Sequence, residues 1–158
     1  MQMPGSAFCG YQRWRSGLAD SLMHRLYVHL VWTTLQRLPL ITADRARIPG
    51  RYLRVTARHH QARVLEVGMV TTHAHLLLQF EPSTALVKLV QALKGGSATV
   101  INREVPTHPP LRWARGYSMH TLGERQLDAV RAYVALQPEN HPLERIVGWM
   151  DSPSSREQ

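Results

Sequence analysis

Residues 63–80 read RVLEVGMVTTHAHLLLQF, and this stretch decides the fold. Residues 63–70 and 73–80 both have the look of strands, and only Thr71 and Thr72 separate them. A connection that short joins neighbouring antiparallel strands and leaves no room for a crossover helix, so a hairpin is expected. Upstream, residues 25–34 (RLYVHLVWTT) place Leu26, Val28, Leu30 and Trp32 on one face and Tyr27, His29 and Val31 on the other, which predicts a central first strand. Residues 42–60 between them follow a helical pattern, with Thr42 as N-cap and Pro49-Gly50 dividing a short turn from a longer helix.

Downstream, Ser83 or Thr84 is expected to cap an amphipathic helix in which Leu86, Leu89, Val90 and Leu93 recur, running to about Glu104 past Gly95 and Gly96. Pro106, Pro109 and Pro110 stop it. Residues 111–121 predict a fourth strand, Gly123 a hinge, and residues 124–136 a third helix that Pro138 ends. The order β, α, ββ, α, β, α is an α+β layout with helices packed on a mostly antiparallel sheet. Residues 1–21 show no sustained period and predict a loosely ordered leader; residues 22–150 form the single domain, and residues 151–158 a disordered tail.

At 158 residues the chain is long enough for one domain with a substantial core. The lone Cys9 excludes an intramolecular disulfide and any zinc site that needs two thiolates. No apolar run is long enough to span a bilayer and the chain start lacks an apolar signal core, so a cytoplasmic location with no membrane partner is expected. The net charge of +8 is unevenly placed: residues 37–63 hold seven arginines against Asp44 alone. That segment is a candidate phosphate-binding surface, although a merely solvated helix face fits the charge equally well.

His73 and His75 are two apart on a strand, so both imidazoles point the same way and can reach one metal. An isolated H-x-H also fits two surface or structural histidines. The H-x-E with paired cysteines of zinc deaminases is absent. Tyr133 and Gln137 are four apart and share a helical face. A glutamine oxygen can ligate a hard cation and a phenol oxygen can attack phosphorus, while a core aromatic and a helix-end amide remain open readings of the same two residues.

Taken in order, LYVHLVW (26–32), THAHLLLQF (72–80), LKGGSATVIN (93–102), RWARGYSMHTLG (112–123) and AYVALQ (132–137) resemble the single-tyrosine transposases of the HUH endonuclease superfamily. These are the small transposases of single-stranded-DNA insertion sequences and their relatives associated with repetitive extragenic palindromes (REP). The likeness covers about residues 25–141, with Ala74 smaller than the bulky residue the motif names.

The resemblance implies a ferredoxin-like or RRM-like antiparallel sheet. It also implies a divalent metal, Mg²⁺ or Mn²⁺, held by His73, His75 and Gln137, and a nucleophilic Tyr133 that forms a 5′-phosphotyrosine. No organic cofactor is implied. The substrate would be single-stranded DNA with hairpin ends. Arg45, Arg47, Arg51, Arg54, Arg58, Lys88 and Lys94 are candidates for phosphate contacts. Trp32, Trp113 and Tyr117 would stack bases if exposed and pack the core otherwise, and His120 is a conceivable proton acceptor for Tyr133. A homodimer that exchanges the tyrosine helix about Gly123 is expected from the insertion-sequence members, whereas the REP-associated relatives act as monomers. Two other functions compete: a noncatalytic nucleic-acid-binding domain, which intact His73, His75, Tyr133 and Gln137 disfavour, and an H-x-H metallohydrolase, which leaves the arginine cluster unexplained.

Overall fold

Strand β1 (Leu26–Thr33) lies between β3 (His73–Phe80) and β4 (Ser118–Leu122), and β2 (Ala62–Val70) pairs with the far side of β3. The computed structural model, which describes residues 26–148, therefore holds one wholly antiparallel sheet in the order β2-β3-β1-β4. With its intervening helices this is the ferredoxin-like βαββαβ arrangement, and the hairpin over Thr71-Thr72 forms as its sequence predicts. The expected leader (1–21) and tail (151–158) lie outside the described residues.

One sheet face presents Val28, Leu30, Trp32, Ala74, Leu76 and Leu78 to α2 (Pro49–His59) and α3 (Leu86–Glu104), with Leu53, Ala57, Leu89 and Leu93 closing the core. Each such leucine is fully buried, a gain of about 1.5–3 kcal/mol per side chain over exposure. Gly96 has a packing reason inside α3: a Cβ there would fall on the Tyr52 hydroxyl, which donates to the Ala92 carbonyl at 3.0 Å. The opposite face carries His29, His73 and His75 and meets the short helices α4 (Leu127–Ala135) and α5 (Gln137–Asn140).

Thr42 caps α1 (Ala43–Arg47) as expected, accepting from the Arg45 N–H at 3.4 Å, and Pro49 opens α2. Three expectations are corrected. Neither Ser83 nor Thr84 caps α3: Ala85 occupies that position, while the two hydroxyls donate to Gln61 and tie the helix entry to the start of β2. The fourth strand begins at Ser118 and not at residue 111: before it only Trp113 bridges to Thr34, through Leu35 N–H to the Arg112 carbonyl and Ala114 N–H to the Thr33 carbonyl, and side chains take much of the remaining backbone. Asn102 brackets Leu111 N–H and C=O, and Lys94 takes the carbonyls of Ala114, Arg115 and Gly116. The expected helix 124–136 is a 3₁₀ turn (Glu124–Gln126) followed by α4. Pro138 does not end it but sits in the first turn of α5, where its missing N–H costs nothing. Among the described residues no helix is long and apolar enough to cross a membrane.

Candidate active site

Because β3 alternates faces, His73 and His75 emerge on the same side, each only 4% exposed, with ring centroids 5.0 Å apart. Burial, reinforced by the neighbouring His73, His29 and His141, pulls His75 down to about 3. Burial also lowers His73, against the upward pull of Glu144. Both imidazoles are therefore neutral at neutral pH and hold a lone pair. His75 Nδ1 lies 2.9 Å from His29 Nε2; His73 Nδ1 lies 2.9 Å from Thr72 Oγ1 and 3.4 Å from Glu144 Oε2.

Gln137 is fully buried, and its Nε2 donates to the Tyr133 carbonyl at 3.0 Å. Gln137 Oε1 and His75 Nε2 are both buried without a hydrogen-bond partner. An unmet buried polar atom costs about 1–3 kcal/mol, and a cation bound between bare nitrogen and oxygen donors removes that cost. The donor set of imidazoles and an amide oxygen thus fits a divalent metal. His73 also belongs to a cluster with His141 and Glu144, whose ligand atoms lie within 4.8 Å of one another.

Tyr133 is 45% exposed, and its ring sits edge-on to His75 at 5.8 Å and to His29 at 6.0 Å. Tyr133 and Gln137 do not share one continuous helix, since α4 ends at Ala135 and the chain turns at Leu136. The turn nevertheless carries Gln137 beneath Tyr133. Gly68 allows this approach: it pairs with His75 across β2 and β3, and a Cβ on it would meet the Val134 carbonyl oxygen at 2.0 Å. His73, His75, Tyr133 and Gln137 are thus brought together in one chain. His29, His141, Glu144 and Gly68 were missed by sequence reasoning; a faint signal for His29 was its place on the same β1 face as Val31, and for His141 its spacing of four from Gln137.

The basic candidates divide. Arg51, Arg58 and Lys88 are exposed, and Arg47 is exposed beside Asp44 at 3.5 Å. Arg54 and Arg58 line a cleft with Arg63 and with Arg131 of α4. Arg45 and Lys94 are corrected from DNA contacts to internal struts. Arg45, 3% exposed, donates to the carbonyls of Leu40, Thr107 and Pro109, and Lys94 is buried against its three carbonyls. Trp32 is core, and Trp113 packs on it at 6.0 Å, leaving Tyr117 the exposed member of the aromatic trio. His120 is exposed and pairs with His29 across β1 and β4. Gly123 lies at φ −82° with open space around it, so local geometry does not demand glycine there.

A family described as "Transposase IS200 like" matches residues 22–137. The chain is 26% identical over 127 residues to the transposase for insertion sequence element IS200 of Salmonella typhimurium, covering 73% of this chain and 78% of that protein; the Salmonella typhi counterpart matches equally. It is similar in structure to a putative transposase from Deinococcus radiodurans R1, with TM-score 0.59 and 22% identity over 84% of this chain and 100% of the other. It is also similar to a REP-associated tyrosine transposase bound to a REP hairpin, with TM-score 0.55 and 12% identity over 87% of this chain and 76% of the other. At those identities the two structures speak for the fold alone.

Proposed function

The chain belongs to the family of IS200-like transposases, and from that premise we propose that it nicks and rejoins hairpin-bearing single-stranded DNA through Tyr133. DNA transposition is the activity of the family. The observation that carries the finer reading is the placement of Tyr133, half in solvent and edge-on to His75, above the buried Gln137. A nucleophile must reach a macromolecular phosphate, whereas its supporting groups must be held still.

In this reaction the Tyr133 oxygen forms a bond to the scissile phosphorus, the P–O bond to the 3′ oxygen breaks, and the phenol loses its proton as the departing 3′ oxygen gains one. The product is a 5′-phosphotyrosine that keeps the phosphodiester energy, so attack by another 3′-hydroxyl reseals DNA without ATP. His73, His75 and Gln137 would hold Mg²⁺ or Mn²⁺, which would supply positive charge to polarise the scissile phosphate. The Gln137 amide, anchored to the Tyr133 backbone, couples the position of that donor to the nucleophile's own turn. No organic cofactor enters.

Arg47, Arg51, Arg54, Arg58 and Lys88 remain the candidates for phosphate contacts, and the cleft that Arg54 and Arg58 share with Arg63 and Arg131 reaches the Tyr133 helix. The hairpin substrate is carried over from the REP-associated relative. The active form is a homodimer working on DNA in the cytoplasm. Labelled hairpin-bearing single strands on denaturing gels test the chemistry: the wild-type chain should form a covalent adduct, and Tyr133→Phe should abolish it while binding persists. An adduct that survives in Tyr133→Phe assigns the attack to another residue.

A further inference from the structure

His29 has no role in the chemistry above, yet it makes one of the two shortest polar contacts of the histidine pair. Its Nε2 lies 2.9 Å from His75 Nδ1, with ring centroids 5.1 Å apart and planes 21° from parallel. Nearly coplanar rings whose nitrogens touch at that separation are joined edge to edge by an N–H···N hydrogen bond and are not stacked face to face.

One of the two nitrogens carries the proton. If His29 donates, the remaining proton of a neutral His75 sits on its Nε2, where the buried N–H finds no acceptor. If His75 donates through Nδ1, its Nε2 is a bare lone pair, and Gln137 Oε1 is likewise a bare acceptor. Only the second arrangement leaves both buried atoms as electron-pair donors with a common use. His73 follows the same pattern, with Nδ1 beside Thr72 Oγ1 and Glu144 Oε2. In metal sites a ligating histidine characteristically gives its other N–H to an outer partner, which sets both tautomer and ring plane.

We propose that His29 is a positioning residue whose Nε2 accepts the Nδ1–H of His75 and thereby holds the His75 imidazole with Nε2 bare for a divalent cation. This rests on the metal reading given above. β1 supplies the partner because register sets Val31 opposite His75, and His29, two residues before Val31, projects from the same face.

Two readouts on the full chain test it, neither of them cleavage. Long-range proton–nitrogen NMR of the metal-free protein should find the His75 proton on Nδ1. Calorimetric titration with Mn²⁺ should show His29→Phe, which keeps a ring but loses the acceptor, binding about ten- to a hundredfold more weakly. His29→Gln, whose amide oxygen can take the place of the Nε2 acceptor, should regain most of that affinity, and its amide spectrum together with that of His29→Phe verifies folding. A His75 proton on Nε2, or unchanged Mn²⁺ affinity in folded His29→Phe, overturns the role of His29 while leaving the metal reading intact. Failure of the wild-type chain to bind Mn²⁺ any better than His75→Ala overturns the metal reading itself, and with it the purpose assigned to His29.

Discussion

A Cβ on Gly68 would lie 2.0 Å from the Val134 carbonyl oxygen and 2.9 Å from Gln137 Cγ, well inside contact distance. Backbone cannot yield as a flexible side-chain tip does, so Gly68→Ala must push α4 and α5 off β2. We expect a loss of about 1–3 kcal/mol of stability, read from the denaturant midpoint, as for other overpacked sites. Cleavage should fall far more than DNA binding, because the displaced residues are Tyr133 and Gln137; unchanged cleavage in a folded Gly68→Ala chain would show that the close approach is not needed. Gly68 carries no local signature in the sequence, since its reason lies in a helix more than sixty residues away. His73 and His75 were legible because strand alternation depends on neighbouring residues alone. His29 was not, because its partnership with His75 needs the β1–β3 register. Arg45 and Lys94 misled for a related reason: a cation that answers a cluster of backbone carbonyls looks, in sequence, like one that answers phosphate.

The elements show the same division between local and remote causes. The three long strands and the Thr42 cap follow from periodicity and N-cap chemistry, and they form where the sequence places them. Residues 111–117 have the composition of a strand but keep only one antiparallel bridge, Trp113 to Thr34, while Asn102 and Lys94 of α3 take the backbone of Leu111 and the carbonyls of residues 114–116. Lys94 Nζ meets the Ala114, Arg115 and Gly116 carbonyls at 2.7, 3.1 and 2.8 Å. Lys94→Met keeps the stem and removes the donors, so we expect destabilisation of about 1–3 kcal/mol. Its salt dependence of DNA binding should match that of the wild-type chain, as an internal strut releases no counterions from DNA. A flattened salt dependence with unchanged stability would return Lys94 to the DNA surface. At the other end of the sheet, the turn at Leu136 was not legible from Tyr133 and Gln137, whose spacing of four fits a continuous helix equally well.

Among the described residues, positive charge gathers on α2 and the adjoining edge of β2, where Arg51, Arg54, Arg58 and Arg63 lie with Arg131 close by. Replacing Arg51, Arg54 and Arg58 with Gln should lower the slope of log affinity against log salt by about 2 for single strands, if each residue contacts one phosphate; an unchanged slope would leave the cluster a solvated face. Assembly sets the remaining question, because strand transfer requires two cleaved ends to be held together, and a two-fold pair of sites meets that need. In the single chain Tyr133 lies beside its own His75, so a site composed between subunits requires α4 to leave its own sheet. What holds α4 is Val134, its one buried residue, packed at Gly68, the buried Gln137 just after it, and the Arg131–Glu66 ion pair at 3.3 Å, largely exposed on the arginine side. Gly123, with open space around it, is the pivot we propose ahead of the helix. We therefore expect a mixture of His75→Ala and Tyr133→Phe chains, each inactive alone, to recover cleavage after subunit exchange, because one composite site then combines an intact histidine pair with an intact tyrosine. Mixed dimers that remain inactive after exchange has been verified would confine Tyr133 to its own chain, and a monomer that cleaves at working concentration would remove the need for the pair.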